Sequence, residues 1–323
     1  MNETQTKAAP NFWQDTVACW QRLPNKVFFF TLLGAWLVLF QFLGNSILGY
    51  IHTQSLFAWL NEAYGNQASD GSYGKLIPFL VVGLFWWKRK ELLALPLEIY
   101  WPGLLILAAA MLLHIAGYVI QQPHLSVIAL FTGIYGLTGL AWGSAWLRKS
   151  FFPFFLFIFC VPLGARGEFI TFPLRLLVCW LVEMVGHYVL GINVVRVGTQ
   201  LYDPSGTYQY EVAAACSGIR SLVAIFLLAT VYGFVSFRQL WKKLLFMALA
   251  FPFAVLGNLA RMLLIIVAAA MGGQEWGNYV HEGGPLGILS LMPYVPAIVG
   301  LLFVGRLMEK WERAEKSGPE AQP

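Results

Sequence analysis

Apolar residues run through this chain in long blocks, and the polar residues between them come in short clusters. An apolar block of about 20 residues is the length that crosses the hydrocarbon core of a bilayer as a helix. The pattern predicts crossings at 27–50, 76–87, 101–120, 125–147, 151–165, 219–237, 244–270 and 286–305. The stretch 55–65, SLFAWLNEAYG, reads as a short amphipathic helix between the first two. The block 170–190 is apolar but carries Arg175, Cys179, Glu183 and His187 at intervals of four, hence along one helix face. Lipid does not tolerate such a stripe, so this face meets protein or water, either as a packing ion pair or as part of a site to which Glu183 or His187 contributes. From 193 to 211 the periodicity changes. Val195, Val197 and Tyr202 precede Asp203-Pro204-Ser205-Gly206, and Tyr208, Tyr210 and Val212 follow, which predicts a small β-hairpin on the membrane surface.

Composition fixes the class. Of 323 residues, 58% are hydrophobic and 11% charged, with a mean hydropathy of +0.65; a soluble domain carries about a quarter charged residues. The expected fold is an all-α polytopic membrane protein with about eight transmembrane helices, an interfacial or re-entrant helix at 170–190, and the small extracytoplasmic hairpin. The net charge of +5 is then a statement about topology and not about nucleic acid. Lys7, Arg22, Lys26, Lys88, Arg89, Lys90, Arg148, Lys149, Arg238, Lys242, Lys243, Arg306, Lys310, Arg313 and Lys316 can all lie in the cytoplasm. That places fifteen of the 21 basic residues on one side, as the positive-inside rule prefers. It requires both termini inside, Cys216 and the loop 272–285 outside, and 170–190 not to cross. Segment 1–25 is then a cytoplasmic lead, with Phe12, Trp13 and Trp20 suited to the membrane surface. Residues 26–305 form one transmembrane domain, and 306–323 a charged cytoplasmic tail. No cleavable signal peptide is expected, because the first apolar run is long and lacks a small-residue cleavage site. The four cysteines, Cys19, Cys160, Cys179 and Cys216, form no CxxC pair, so neither a metal site nor a disulfide framework is expected, and no cofactor.

Candidate chemistry gathers toward the C-terminal half. Ala213-Ala214-Ala215 leads into Cys216-Ser217-Gly218, and a long apolar helix begins at Ile219. A helix N-terminus stabilises a thiolate, the reactive form of cysteine; the same residue could also be a small apolar group packed between helices. Asn258 and Arg261, three apart inside one predicted span, share a face, and an intramembrane arginine is costly unless paired or functional. His281 lies in the Gly-rich outer loop GGQEWGNYVHEGG, which could fold back over the membrane surface. A thiol, an imidazole and a guanidinium together suit acyl transfer: attack on a carbonyl, proton handling and oxyanion stabilisation. Arg261 could instead pair with Glu183. A hairpin edge beside the thiol suits strand addition by an extended peptide.

The order ACSG at a helix start, Asn-x-x-Arg in the next span with Pro252 ahead of it, and a loop histidine before the last span resembles the exosortase/archaeosortase family over about 191–300. That resemblance implies a membrane cysteine transpeptidase with Cys216 as nucleophile and Arg261 and His281 completing the triad. Asn258, Ser217, Gly218 and Arg220 are supporting or substrate-binding residues. It also implies a bacterial inner membrane location with the site facing the periplasm. The substrates would be exported proteins ending in a Pro-Glu-Pro motif, a transmembrane helix and a basic cluster, cleaved through a thioester and passed to an unknown cell-surface acceptor, often alongside exopolysaccharide production. Besides membrane lipid no other partner is implied. Two other readings fit the residues: a transporter with a midplane Arg261, Asn258 and Glu183 site, and a non-catalytic exopolysaccharide assembly factor.

Overall fold

The computed structural model describes residues 12–45, 54–65, 71–163, 167–212, 219–284 and 292–316, with backbone alone at 170 and 219–221. It divides into two compact units. One holds residues up to Gly65 and Gly74–Pro162; the other holds Asn66–Tyr73 and Leu163–Pro323.

In the first unit, helices α1 (Phe12–Arg22) and α2 (Lys26–Phe42) meet at 90°. Asn25, at φ 48°, sits in the bend. α1 keeps Phe12, Trp13 and Trp20 exposed and is tied down by an ion pair from Asp15 to Arg89. An amphipathic helix bent away from the apolar helix that follows is the shape expected of a surface-lying lead. α3 (Leu56–Gly65), α4 (Ile77–Leu93), α5 (Pro102–Val119) and α6 (Pro123–Trp142) follow where the apolar pattern places them. Trp36 of α2 donates from Nε1 to the Leu130 carbonyl at 3.0 Å, its ring lying on Gly133 so closely that no Cβ fits there. Small residues let helices approach in this way inside membranes.

The predicted crossings at 125–147 and 151–165 are drawn differently. The apolar run breaks at Gly143, which holds φ +99° with the Glu98 carbonyl 2.6 Å from where a Cβ would stand. A new helix, α7 (Ser144–Phe155), starts there and continues as a 3₁₀ turn over Leu156–Cys160.

The second unit contains α8 (Glu168–Tyr188), strands β1 (Val195–Val197), β2 (Gln200–Tyr202) and β3 (Gln209–Glu211), then α9 (Ile219–Ser236), α10 (Leu240–Glu282) and α11 (Tyr294–Lys316). The expected hairpin is a three-stranded antiparallel sheet in the order β1-β2-β3. Its first arm folds on itself at Gly198, φ +62°, so Val197 pairs with Gln200. The predicted turn after Asp203 joins β2 to β3, with Tyr202 opposite Gln209. α9, α10 and α11 pack around Ile225, Phe246, Ala254, Tyr294 and Leu301. Gly257 admits the Tyr294 ring, and Gly300 admits Phe253. Lys242, fully buried, holds Glu315 at 2.7 Å between the rings of Trp241 and Trp311.

Among the described residues three helices, α5, α6 and α10, are long and apolar enough to cross a membrane, or up to four with α1 and α2 taken together. α2 and α4 have 17 residues each, about 26 Å of helix against a hydrocarbon core of about 30 Å. These apolar helices make the chain a membrane protein.

Candidate active site

α10 is 43 residues long, twice what a crossing needs. It does not run straight: Gly272 has φ −131°, ψ 15°, and Gly273 has φ 76°, ψ −173°. The second pair of angles is open essentially only to glycine. Beyond this break the stretch expected as an outer loop is helical, from Gln274 to Glu282, and it turns back along the helix it came from. Gly277 lies against Ala269 and the Tyr210 hydroxyl, with the hydroxyl 1.9 Å from the place a Cβ would take. A larger residue there would hold the two pieces apart. The returning segment ends at Gly283, φ 90°.

The fold-back brings His281 to Arg261. Arg261 Nη2 donates to the His281 carbonyl at 3.5 Å. About 15 Å of helix lies between Arg261 and the break, so the two residues meet well below it, and the depth of Arg261 in its span is matched by the return of the chain. The guanidinium keeps a buried Nε without a hydrogen-bond partner among the described residues. His281 is half-buried. Asn258, 3% exposed, accepts from the Tyr294 hydroxyl at 3.5 Å, which ties the Arg261 face of α10 to α11.

Cys216, Ser217 and Gly218 lie outside the described residues, as does the side chain of Arg220. The chain on their N-terminal side is well fixed. Val212 is fully buried in a cluster with Leu201 and Tyr210 of the sheet, Tyr208 just ahead of β3, Val178 and Val182 of α8, and Met262, Ile265 and Ile266 of α10. Ile265 lies one turn beyond Arg261 on α10, so this cluster borders the face of the helix that carries the arginine.

The stripe on α8 resolves into separate partners. Arg175 meets Glu168 at 3.0 Å. Glu183 accepts from the Arg196 backbone N–H at 3.2 Å and from its Nε at 3.3 Å. Cys179 lies under the sheet, its Sγ 3.7 Å from the Thr199 carbonyl. Glu183 therefore serves β1 and not Arg261. His187 stacks edge-on against Tyr188.

Sequence reasoning passed over Gln274. Its side-chain Oε1 accepts from the Gln209 backbone N–H at 2.8 Å, its Nε2 donates to the Gln209 carbonyl at 3.2 Å, and Nε2 also reaches Asn278 Oδ1 at 3.2 Å. Tyr210 donates its hydroxyl to the Gln274 carbonyl at 3.1 Å. The cluster of glycines around GGQEWG signalled a turn, but nothing in it signalled a clasp on the sheet.

The family model for transmembrane exosortases (Exosortase_EpsH) matches residues 59–294. The chain belongs to the transmembrane exosortase family. The match takes in both units and every residue named above as a candidate for the site. No curated protein and no solved structure matches this exosortase-family chain.

Proposed function

We propose that this family member is a membrane-embedded cysteine protease or transpeptidase that cleaves C-terminal sorting signals of exported proteins through a thioester on Cys216. The observation that carries the reading is the fold-back at Gly272–Gly273, which sets His281 beside Arg261 at the depth of the span. A structural arginine in a span needs only a counter-charge. This one instead meets a backbone carbonyl, and it keeps a buried donor without a partner among the described residues. Val212, buried in the same cluster as Met262 and Ile265, is four residues from Cys216, a reach of at most about 14 Å of extended chain.

In this mechanism His281 takes the thiol proton and the Cys216 sulfur adds to the scissile carbonyl carbon. Arg261 donates to the oxygen as negative charge develops on it. The carbon–nitrogen bond breaks, the leaving amine receives the proton from His281, and the thioester remains. Water or an acceptor nucleophile then displaces the sulfur. Ser217, Gly218, Arg220 and Asn258 support the site. The substrate tail is a Pro-Glu-Pro motif, a transmembrane helix and a basic cluster. About eight crossings, both termini in the cytoplasm and a site opening to the periplasm of a bacterial inner membrane complete the proposal; its acceptor lies at the cell surface. A transporter built on Arg261, Asn258 and Glu183 is disfavoured because Glu183 is engaged by Arg196.

Cys216→Ala tests the reading in nanodiscs with a reporter protein carrying such a tail. The variant should insert and fold yet process nothing, and the wild type should yield an adduct released by hydroxylamine. Processing by Cys216→Ala at the normal rate rules the mechanism out, as does normal processing with no such adduct.

A further inference from the structure

The two outer strands of the sheet are closed in different ways. On β1 the outward N–H belongs to Arg196, and Glu183 takes it together with the arginine side chain, so a charge pair seals that edge. On β3 the register decides which groups face outward. Asp203 N–H donates to the Tyr208 carbonyl and Val212 N–H donates to that of Thr199. The alternation of an antiparallel ladder then turns the N–H and C=O of Gln209 and Glu211 away from β2. Both groups of Gln209 are met by one primary amide, the side chain of Gln274. One carbonyl and one N–H placed on the two backbone groups of a single residue is what an added strand would offer at that position. The bonds are solvent-exposed and neutral, and Asn278, one turn along the returning helix, offers Gln274 a second seat. Exposed bonds of this kind contribute little net stability and exchange readily.

We propose that the outer edge of β3 is the docking site for an extended segment of the substrate polypeptide. The segment displaces the Gln274 amide and pairs with Gln209 and Glu211. This inference rests on the cysteine-peptidase reading of the site and names how that site holds its substrate. Continuity along the chain argues for this occupant: only four residues separate Val212, just past the end of β3, from Cys216, so a peptide paired on β3 ends within about 14 Å of chain from the proposed nucleophile. Gln274 opens the returning segment that ends in His281, so the clasp on the edge and the candidate base belong to one short helix.

Edge pairing has a period of two, since only alternate residues of an added strand face the sheet. The residue opposite Gln209 must supply both an N–H and a C=O and so cannot be proline, whereas its two neighbours face away and can be. In a Pro-Glu-Pro segment the central residue alone of the three has an amide proton, and it stands between two positions that need none.

The probe is a reporter protein followed by Pro-Glu-Pro, an apolar helix and an arginine-rich end, reconstituted with the full chain in nanodiscs. Gln209→Pro removes the outward N–H and leaves the ladder to β2 intact. Placed in the Gln274→Ala background, where no clasp competes for that N–H, it should raise KM about tenfold over Gln274→Ala alone, the worth of one good hydrogen bond, with kcat little changed. Gln274→Ala opens the edge and should lower KM. N-methylation of the central glutamate of the probe removes the bond to the Gln209 carbonyl and should raise KM about tenfold for the wild type. A wild-type KM for the methylated probe overturns the proposal even if Gln209→Pro fails to fold, and so does a raised KM in Gln274→Ala. A photo-crosslinker at position 209 in Cys216→Ala keeps this inference separate from the proposed chemistry. Capture of the probe there, with no processing by wild type, sinks the chemistry and leaves the docking edge standing. Processing by wild type without capture at 209 sinks the docking edge alone.

Discussion

Arg261 donates to the backbone carbonyl of His281 across 3.5 Å, although twenty residues of chain and a reversal of direction separate them. The contact exists because Gly272 and Gly273 let the helix end its climb and return.

If Arg261 were only a counter-ion, lysine would replace it. As a clamp on a developing oxyanion it needs the planar, multi-donor guanidinium, and lysine is a point charge on a flexible stem. Losing one transition-state donor costs about 3–4 kcal/mol. Arg261→Lys is therefore expected to insert normally and bind substrate while turning over at least about a hundredfold more slowly. Rates within a few-fold of wild type would assign the arginine to packing.

Gly273→Ala should open the reversal. The backbone there, at φ 76° and ψ −173°, costs an L residue about 1–3 kcal/mol, enough to favour an alternative path for the segment after the break. The expected outcome is a large fall in processing with retained insertion. A cysteine placed at 281 should also gain reactivity toward a water-soluble maleimide. Unchanged labelling and rate would show that the segment holds its course without the glycine.

The topology can be tested with single cysteines in a background free of the others. Impermeant maleimide applied to intact cells is expected to reach positions 216 and 281 but not 88, 148 or 242. Lys242 is fully buried against Glu315 between two tryptophan rings, so its position is also read from the flanking Lys243. Labelling of 243 from outside would invert the proposed orientation.

Much of the helical order was legible because periodicity and block length carry it. The amphipathic stretch before Gly65 is α3, and the aromatic lead is a helix set at 90° to α2. The sequence was silent where the apolar pattern runs through a break unchanged. Gly143 divides a continuous apolar run because Glu98, far away in sequence, crowds it. The same limit hid the helix after Gly273, which a glycine-rich composition presents as loop. Periodicity placed Arg175, Cys179 and Glu183 on one face of α8 but could not name their partners, Glu168, the Thr199 carbonyl and Arg196. His114, which has no visible purpose in the sequence, is held by Ser126 and the Leu43 carbonyl at 3.0 Å each. Arg261 and His281 could be singled out from residue type and order; that they touch could not, since it depends on Gly277 clearing the Tyr210 hydroxyl.

The returning helix is short and stiff, with Gln274 near its hinge, Gly277 as its bearing on Tyr210, and His281 at its far end. A rod held at three points passes displacement from one end to the other. The clasp on the edge of β3 and the residue that meets Arg261 are therefore carried on one support, and a change in the course of that support moves both.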